Sequence, residues 1–471
     1  MPASGASFRD PGGRLYLRDG RVLREVNRGG LECLDAALGS RAVQDSIERG
    51  GFVRTTILSR DENHALAEHE AIPFASYPTE WPAEMLHAAG MLTLDLAEKL
   101  AAEGLGLKDA TPFNILFRGR DPVFVDVLSV ERRDPLDPLW LARAQFIRTF
   151  VLPLAAERYF GIPFAQSFAN RDGIEPEAFY RLLTPAQRVL PRYLGLVSMP
   201  KWLGSRTNPD DASIYKPHRV DSAGKARFIL DRNFGSLRGS LRKLAPRGGQ
   251  QTAWTGYMGE KSACSYSSEQ FAEKEKFVAD CLREFAPKRL LDVGANTGHF
   301  SAMAARPGSS GDARGGASVV AIDGDATVTG GIWRRAREEK LDVLPLVVNL
   351  AQPTPALGWR NRECPSFLDR ATGAFDFVLM LAVIHHMLAT ERVPLDEIVS
   401  LAADLTSDLA LIEFVAPGDP MFRRLSRGRD ELYAYLTVEL FEQTVAERFD
   451  TIRKHRVSGA ERTLYLLRKR A

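Results

Sequence analysis

The second half of the chain alternates short apolar runs with stretches of helical hydrophobic spacing. Runs of this length, separated by helical patterns, predict parallel strands joined by helices in a doubly wound α/β sheet. A ligand of such a sheet binds at the carboxyl ends of its strands. The apolar runs cover residues 290–293, 318–325, 344–348, 374–386 and 409–415, and a helix is predicted over 269–285.

The first of these runs leads into a glycine-bearing turn and a helix. Gly294-Ala-Asn-Thr-Gly298 follows the strand directly. Such a turn presents backbone N–H groups and a helix N-terminus to a ligand. Asp323 ends the next strand, 25 positions after Gly298, close to the spacing of about 20 expected for a carboxylate that holds ribose hydroxyls. The G-x-x-x-G spacing differs from the G-x-G-x-x-G of a dinucleotide site.

This series of motifs resembles that of class I S-adenosylmethionine (SAM)-dependent methyltransferases. It runs from Leu290-Leu-Asp-Val-Gly-Ala-Asn-Thr-Gly298 through Ala321-Ile-Asp323 to Asp376-Phe-Val-Leu379 and the pair His385-His386. Residues 457–467 are similar to the closing antiparallel hairpin of that family. The resemblance implies a Rossmann-like domain with a mostly parallel sheet. It also implies a cofactor site formed by Asp292, Gly294, Asn296, Gly298, Asp323, Gly324, Asn349, Leu350, Leu381 and Tyr266.

Methyl transfer to an oxygen also requires a base, and histidine suits that role near neutral pH. His385 and His386 follow the fourth strand, and at most one of them is expected to face the acceptor because adjacent side chains at a strand end diverge; His386 is preferred. The alternative is that the pair only begins the next helix. Glu413, at the end of the fifth strand, is the other catalytic candidate. Trp254 and Tyr257 either cover the cofactor or pack a domain junction.

The first half of the chain has a different hydrophobic pattern. Residues 14–26 alternate around Asp19-Gly20, which predicts a β-hairpin. A helix over 31–49 and a strand over 52–58 follow, and residues 83–103 have clear helical periodicity. The sequence therefore predicts an α+β domain over 1–240, followed by a methyltransferase domain over 241–471. Residues 196–250 are predicted to include a linker.

One loop of the first half is similar to the catalytic loop of protein kinases and small-molecule phosphotransferases. Asp109 matches the catalytic base, while Asn114 and Asp126 match the Mg²⁺ ligands. No lysine precedes Lys99, so the phosphate-pairing lysine is missing, and Arg24 is the available substitute. Three interpretations stay open: a kinase-like fold without kinase activity, an active phosphotransferase that binds Mg-ATP, and an unrelated scaffold with a capped loop.

The whole chain resembles the bacterial methyltransferases known as host-specific nodulation proteins. Tyr77-Pro-Thr-Glu-Trp-Pro82, Leu107-Lys-Asp-Ala-Thr-Pro-Phe-Asn-Ile115 and the methyltransferase motifs carry this resemblance. Three hypotheses follow from it and from the motifs. The preferred one is a SAM-dependent methyltransferase, with O-methylation favoured, whose N-terminal domain binds or orients the acceptor and which releases S-adenosylhomocysteine. The others are a bifunctional enzyme that also transfers phosphate and a non-catalytic SAM-binding scaffold.

Composition and charge narrow the classes of partner. The net charge of +2 gives no reason to expect nucleic acid, and the acceptor is left open among small molecules, glycans and proteins. Cys33, Cys264, Cys281 and Cys364 form no C-x-x-C pair, which predicts a reducing compartment and no metal site. The start of the chain lacks an apolar core for a signal peptide, and no run is long enough to span a bilayer. A cytoplasmic enzyme is therefore expected.

Overall fold

A computed structural model describes residues 7–204, 219–248, 266–308 and 316–470. The chain forms two compact units. Unit 1 contains residues 1–246 and 356–365, and unit 2 contains residues 247–355 and 366–471. The ten residues 356–365 therefore belong to unit 1, although both flanking stretches of chain belong to unit 2.

Unit 1 begins with an antiparallel sheet in the order β1-β2-β4-β3. The predicted hairpin is present, and its turn lies at Asp19-Gly20, where both residues have positive φ. Two smaller sheets pair β5 with β8 and β6 with β7. The strands of unit 1 are β1 (Gly13–Arg18), β2 (Arg21–Asn27), β3 (Thr55–Arg60), β4 (His64–His69), β5 (Leu105–Leu107), β6 (Ile115–Arg118), β7 (Asp121–Phe124) and β8 (Val130–Arg132).

Helix α3, which was predicted over 83–103, packs against α2, α5 and α11. The predicted helix over 31–49 divides at Ser40, which ends α1 and caps α2. Single 3₁₀ turns lie at 78–80, 112–114, 127–129 and 359–361, and π-helical turns at 147–151 and 194–198. The helices are α1 (Arg28–Gly39), α2 (Arg41–Glu48), α3 (Ala83–Ala102), α4 (Arg143–Phe146), α5 (Leu152–Phe160), α6 (Phe164–Ser167), α7 (Pro176–Leu182), α8 (Pro185–Arg188), α9 (Pro191–Tyr193), α10 (Met199–Gly204) and α11 (Ala223–Leu244).

Helix α11 occupies 22 residues of the range 196–250, which was predicted to include a linker with its least ordered part near 244–251. The helix packs against α3, and Arg238 forms ion pairs with Asp95 and Glu98. The Gly, Ser and Arg content of the segment suggested a linker, but its apolar residues recur at helical spacing and are buried. These residues are Leu230, Phe234, Leu237, Leu241 and Leu244.

Unit 2 contains a seven-stranded sheet in the order β11-β10-β9-β12-β13-β15-β14. The first five strands in this order are parallel, and β15 inserts antiparallel between β13 and β14. This order gives unit 2 the Rossmann-like fold of class I methyltransferases, as predicted. The strands are β9 (Arg289–Val293), β10 (Ser318–Asp323), β11 (Val343–Val347), β12 (Phe375–Met380), β13 (Thr406–Val415), β14 (Phe449–Arg456) and β15 (Arg462–Lys469).

Helices cover both faces of this sheet in the manner of a doubly wound fold. Helices α12 and α19 begin at the side-chain caps Ser267 and Thr437. A 3₁₀ turn lies at 430–433. The helices are α12 (Ser268–Phe285), α13 (His299–Ala305), α14 (Ala326–Glu339), α15 (Phe367–Ala371), α16 (Ile384–Ala389), α17 (Leu395–Leu405), α18 (Pro420–Ser426) and α19 (Val438–Ala446).

The histidine pair lies at the start of a helix, which is the alternative that the sequence left open beside a strand end. Strand β12 ends at Met380, and Ala382 turns the chain with φ 56° before α16 begins at Ile384. His385 and His386 therefore occupy the first turn of a helix and not the end of a strand. Successive helical residues point about 100° apart, so the two side chains face different surroundings.

The core of unit 2 joins the parallel strands to the terminal hairpin. Phe377, Leu411 and Leu464 come from three strands and are completely buried. Burial of each such side chain contributes about 1.5–3 kcal/mol. Across the described ranges, every helix is too short or too polar to cross a membrane.

Candidate functional site

A cavity of about 710 Å³ lies at the carboxyl ends of the parallel strands of unit 2. Its walls come from the segments that follow β9, β10, β11 and β12 and from the start of α12. The sheet order reverses between β9 and β12, and this switch point is where doubly wound folds bind ligands. Nine of the ten predicted cofactor residues line the cavity: Asp292, Gly294, Asn296, Asp323, Gly324, Asn349, Leu350, Leu381 and Tyr266.

Gly298 is the predicted residue that does not line the cavity. It has φ 69° and precedes α13, and a Cβ there would lie 3.0 Å from Ile332 Cγ1. Gly298 therefore allows α13 and α14 to approach each other. Gly294 has φ 66°, and a Cβ at this position would lie 2.6 Å from Val383 Cγ2 at the cavity wall. Both glycines are required by the backbone and by space.

The carboxylate of Asp323 is held at the cavity by backbone donors. The N–H of Asn296 donates to its Oδ2 and the N–H of Asp325 donates to its Oδ1, each at 2.9 Å. Burial raises the pKa of Asp323, whereas these backbone hydrogen bonds lower it in part. A carboxylate oxygen accepts more than one hydrogen bond, so both oxygens retain acceptor capacity toward the cavity.

Asp292 lies deeper, at the end of β9, and is almost fully buried. The Ser301 hydroxyl donates to its Oδ2 at 2.5 Å. Burial raises the pKa of Asp292 to about 6, with a smaller contribution in the same direction from the charge of Asp323. The side-chain Oδ1 of Asn296 is also buried and has no hydrogen-bond partner among the described residues. An unpaired buried acceptor at a cavity wall is a feature that a ligand donor would satisfy.

The three predicted catalytic residues occupy different places. His386 lines the cavity, and its pKa is lowered to about 4 by burial and by the charge of Arg462. His385 is completely buried outside the lining, and neither ring nitrogen has a partner within the described ranges. Burial likewise lowers the pKa of His385. Both imidazoles are therefore neutral at pH 7.

Glu413 is not exposed to the cavity because an ion-pair network surrounds it. Lys274 Nζ donates to Oε2 at 2.6 Å, Arg462 Nη1 donates to Oε1 at 3.3 Å, and the Tyr266 hydroxyl also donates to Oε1. Burial raises the pKa of Glu413, but Lys274 and Arg462 outweigh burial and lower the pKa to about 2. Asp419 binds Arg462 Nε at 2.7 Å. Glu413 is thus a buried anion that anchors Lys274 and Tyr266 at the cavity wall.

The sequence did not single out an aromatic group on the same wall. Phe271 at the start of α12 contacts His299 and Phe300 at the start of α13, with ring centroids 5.3 and 6.1 Å away, respectively. His299 Nε2 lies 3.0 Å from Glu275 Oε1. All three rings line the cavity. His299 directly follows Gly298, so its position in the motif was the available signal. Trp254 and Tyr257, the other predicted aromatics, lie outside the described residues.

In unit 1, one of the three kinase-like residues, Asp126, forms an ion pair with an arginine. Asn114 Nδ2 lies 3.5 Å from Asp126 Oδ2, and Arg24 Nη1 donates to Asp126 Oδ1 at 3.2 Å and to Asp10 Oδ2 at 3.1 Å. Asp109 is exposed, and its backbone N–H donates to the Ser129 hydroxyl. Within the ranges that the structure describes, no group of three or more His, Cys, Asp or Glu residues is placed to bind a metal.

Comparisons with known proteins gave one curated relative and several distant solved structures. No protein-family model matches the chain. The bifunctional kinase-methyltransferase WbdD is 19% identical, and the alignment covers 43% of this chain and 40% of WbdD with a TM-score of 0.29. A SAM-dependent methyltransferase from Aquifex aeolicus is 15% identical over 47% of this chain and 100% of its own, with a TM-score of 0.30. TM-scores this low support no statement about function.

The curated relative matches nearly the whole chain. It is the nodulation protein NoeA of Rhizobium meliloti (strain 1021), which is 27% identical over 98% of this chain and 94% of its own length. Both units are therefore included in the match. The chain is similar to a nodulation protein from one end to the other, which confirms the whole-chain resemblance that the motifs indicated.

Proposed function

We propose that the chain is a SAM-dependent methyltransferase whose cofactor binds in the cavity of unit 2. The observation that carries this proposal is the position of Asp323, a carboxylate fixed by two backbone N–H groups at the switch point of the sheet. The similarity to a nodulation protein is compatible with this function but does not specify it. The cofactor would supply a sulfonium methyl group that is already reactive toward nucleophiles.

The residues at the cavity fit such a cofactor chemically. Asp323 would accept hydrogen bonds from the ribose hydroxyls, and the loop at Asn349 and Leu350 would contact the adenine. Asn296, with its unpaired Oδ1, and Asp292 would lie toward the ammonium end of the methionine portion. Gly294 leaves space at the cavity wall that a side chain would fill.

The remaining groups would act on the acceptor. The enzyme's main tasks in methyl transfer are to align the acceptor atom with the methyl group and to exclude water. His386 lines the cavity and would accept a proton from an acceptor hydroxyl in O-methylation. Its lowered pKa leaves the imidazole unprotonated but makes it a weaker base than an ordinary histidine. His385 and Glu413 do not contact the cavity, so we assign them to positioning. A role for unit 1 in binding the acceptor stays a prediction.

The decisive test is calorimetry of SAM binding to wild type and to Asp323→Ala. Loss of the carboxylate removes the charge-assisted hydrogen bonds to the ribose, so affinity should fall at least about 100-fold. Asp408→Asn is a suitable control, because Asp408 is an exposed carboxylate near the amino end of β13, away from the cavity. An unchanged SAM affinity in Asp323→Ala, with the fold intact by circular dichroism, would contradict the assigned cofactor position.

A second activity, phosphate transfer by unit 1, has less support. Asp126 and Asn114 are close together, but Arg24 is paired with Asp126 where a divalent cation would have to bind. The alternative of a SAM-binding scaffold differs from the main proposal in one observable. A scaffold would bind SAM and never produce S-adenosylhomocysteine.

A further inference from the structure

Five exposed arginines lie on or close to α16 and α18, two helices of unit 2 that contact each other. Four of them fall within seven residues, on α18 and directly after it, and the fifth follows α16. We call this group the arginine surface; it consists of Arg392, Arg423, Arg424, Arg427 and Arg429.

The charges of the arginine surface are not neutralised within the part of the chain that the structure describes. None of the five guanidinium groups lies within 4.0 Å of a carboxylate, although Glu391, Asp430 and Glu431 are adjacent in sequence. Some other arginines of unit 2 are paired, such as Arg453 with Glu284 at 2.7 Å. Arg392 and Arg429 line one groove, and like charges at one site repel each other, so an anionic ligand would relieve this repulsion.

A groove of about 380 Å³ adjoins the arginine surface. Arg392 and Arg429 lie at the groove, and its apolar walls include Leu388 and Tyr433. Leu432 and Tyr435 also line it, and they are 61% and 57% exposed. The groove thus combines two cations with apolar and aromatic surface, which suits a ligand that has an anionic group attached to an aryl or alkyl part.

The arginine surface is continuous with the proposed active site. Thr390 and Glu391 line the cofactor cavity, and Arg392, the next residue, lines the groove. The Tyr433 hydroxyl donates to the Leu388 carbonyl at 3.4 Å, and Phe422 of α18 contacts both Tyr433 and His385. The segment that carries the arginines is therefore packed directly on α16, the helix that carries His386.

We propose that the arginine surface and its groove bind the distal, anionic part of the methyl acceptor. The acceptor would be an amphiphilic anion with a phosphate or carboxylate group held by Arg392 and Arg429. Its apolar part would lie along Leu432 and Tyr435, and its reacting atom would lie near His386. This inference rests on the proposed function, because it assigns the acceptor class for that site.

The test uses 4-nitrophenyl phosphate as the probe, with 4-nitrophenol and inorganic phosphate as its separate parts. Calorimetry on the full chain saturated with S-adenosylhomocysteine should show binding of the aryl phosphate that is tighter than binding of either part. Arg392→Gln/Arg429→Gln should weaken this binding at least about ten-fold, because charge-assisted hydrogen bonds are lost. The matched control is Arg289→Gln/Arg448→Gln, two exposed arginines at the amino ends of β9 and β14, opposite the carboxyl ends that form the cavity, which should bind like wild type.

The outcomes separate this inference from the proposed function. If both double variants bind the probe equally weakly, or if wild type does not bind it, the proposed acceptor site is wrong. A normal affinity for SAM in the same experiments would still support the proposed methyltransferase function. If the wild-type chain does not bind SAM, the proposed function is refuted instead. A short single-stranded DNA that binds more tightly than the probe, with a steep salt dependence, would identify a nucleic-acid surface and overturn the inference.

Discussion

Asp292 and Asp323 end neighbouring strands of one sheet but have different surroundings. Asp323 is partly buried and accepts hydrogen bonds from two backbone N–H groups, whereas Asp292 is buried and accepts one from a hydroxyl. Burial therefore dominates at Asp292 and raises its pKa from 3.8 to about 6. A carboxylate that ionises less readily in the folded state destabilises that state at neutral pH. Such a cost is typical of a residue kept for binding.

Asp292→Asn is expected to stabilise the protein at high pH. The folded pKa of about 6 exceeds the unfolded value of 3.8, so the penalty develops as pH rises between them. Removing it should increase the free energy of unfolding by about 3 kcal/mol at pH 8 and by less than about 1 kcal/mol at pH 4. Urea unfolding at both pH values measures this difference. A gain that is the same at both would show that ionisation of Asp292 is not its cause.

At the scale of elements, α12, β13 and β15 meet at the buried pair of Lys274 and Glu413. Lys274 is 4% exposed and Glu413 is completely buried, and Arg462 approaches from the last strand. Removing one partner of a buried ion pair leaves the other charge without compensation. The network therefore fixes the start of α12 against the sheet and positions Tyr266 and Lys274 at the cavity.

Glu413→Gln should lower the free energy of unfolding by about 3–5 kcal/mol, because Lys274 loses its buried carboxylate. Adding Lys274→Met should restore part of the loss, since the unpaired charge is then removed. Glu284→Gln, at an exposed pair with Arg453, serves as the control and should cost less than about 1 kcal/mol. Similar losses in Glu413→Gln and Glu284→Gln would refute the importance of the network.

The sequence predicted the elements of unit 2 better than their side-chain network. Buried parallel strands are continuous apolar runs, so the positions of Gly294 and Asp323 after such runs were visible. Glu413 was assigned to the acceptor because its partners Lys274 and Arg462 are 139 and 49 residues away. No local pattern links residues at such separations. The sequence could not decide between a strand end and a helix start for the histidine pair, because the apolar run continues from β12 through the turn into α16.

At the scale of the whole molecule, the net charge does not reveal where charged residues are clustered. The net charge of +2 gave no sign of the arginine surface, because acidic residues elsewhere balance it. Similarly, the spacing of Asp109, Asn114 and Asp126 indicated a kinase-like site but could not show which cation lies there. In unit 1 that cation is Arg24, which is 6% exposed and reaches both Asp10 and Asp126.

Titration of the full chain with Mg-ATP should give no binding heat. A divalent cation would have to displace the guanidinium of Arg24 from Asp126, which is unfavourable because the arginine is almost fully buried and has no other described carboxylate except Asp10. Titration of the same sample with SAM is the positive control. Mg-ATP binding that is lost in Asp126→Asn would support the bifunctional alternative instead.

Because residues 356–365 belong to unit 1, a single cut in the chain cannot separate the two units. Within this segment Glu363 is 2% exposed and forms ion pairs with Arg9, at 2.8 Å, and with Arg171. A single cut near residue 246 would deprive the first fragment of that carboxylate and leave both arginines unpaired. The two units are therefore not interchangeable modules. Joining the first part of this chain to the second part of a relative at one point would replace the segment that supplies Glu363 to unit 1.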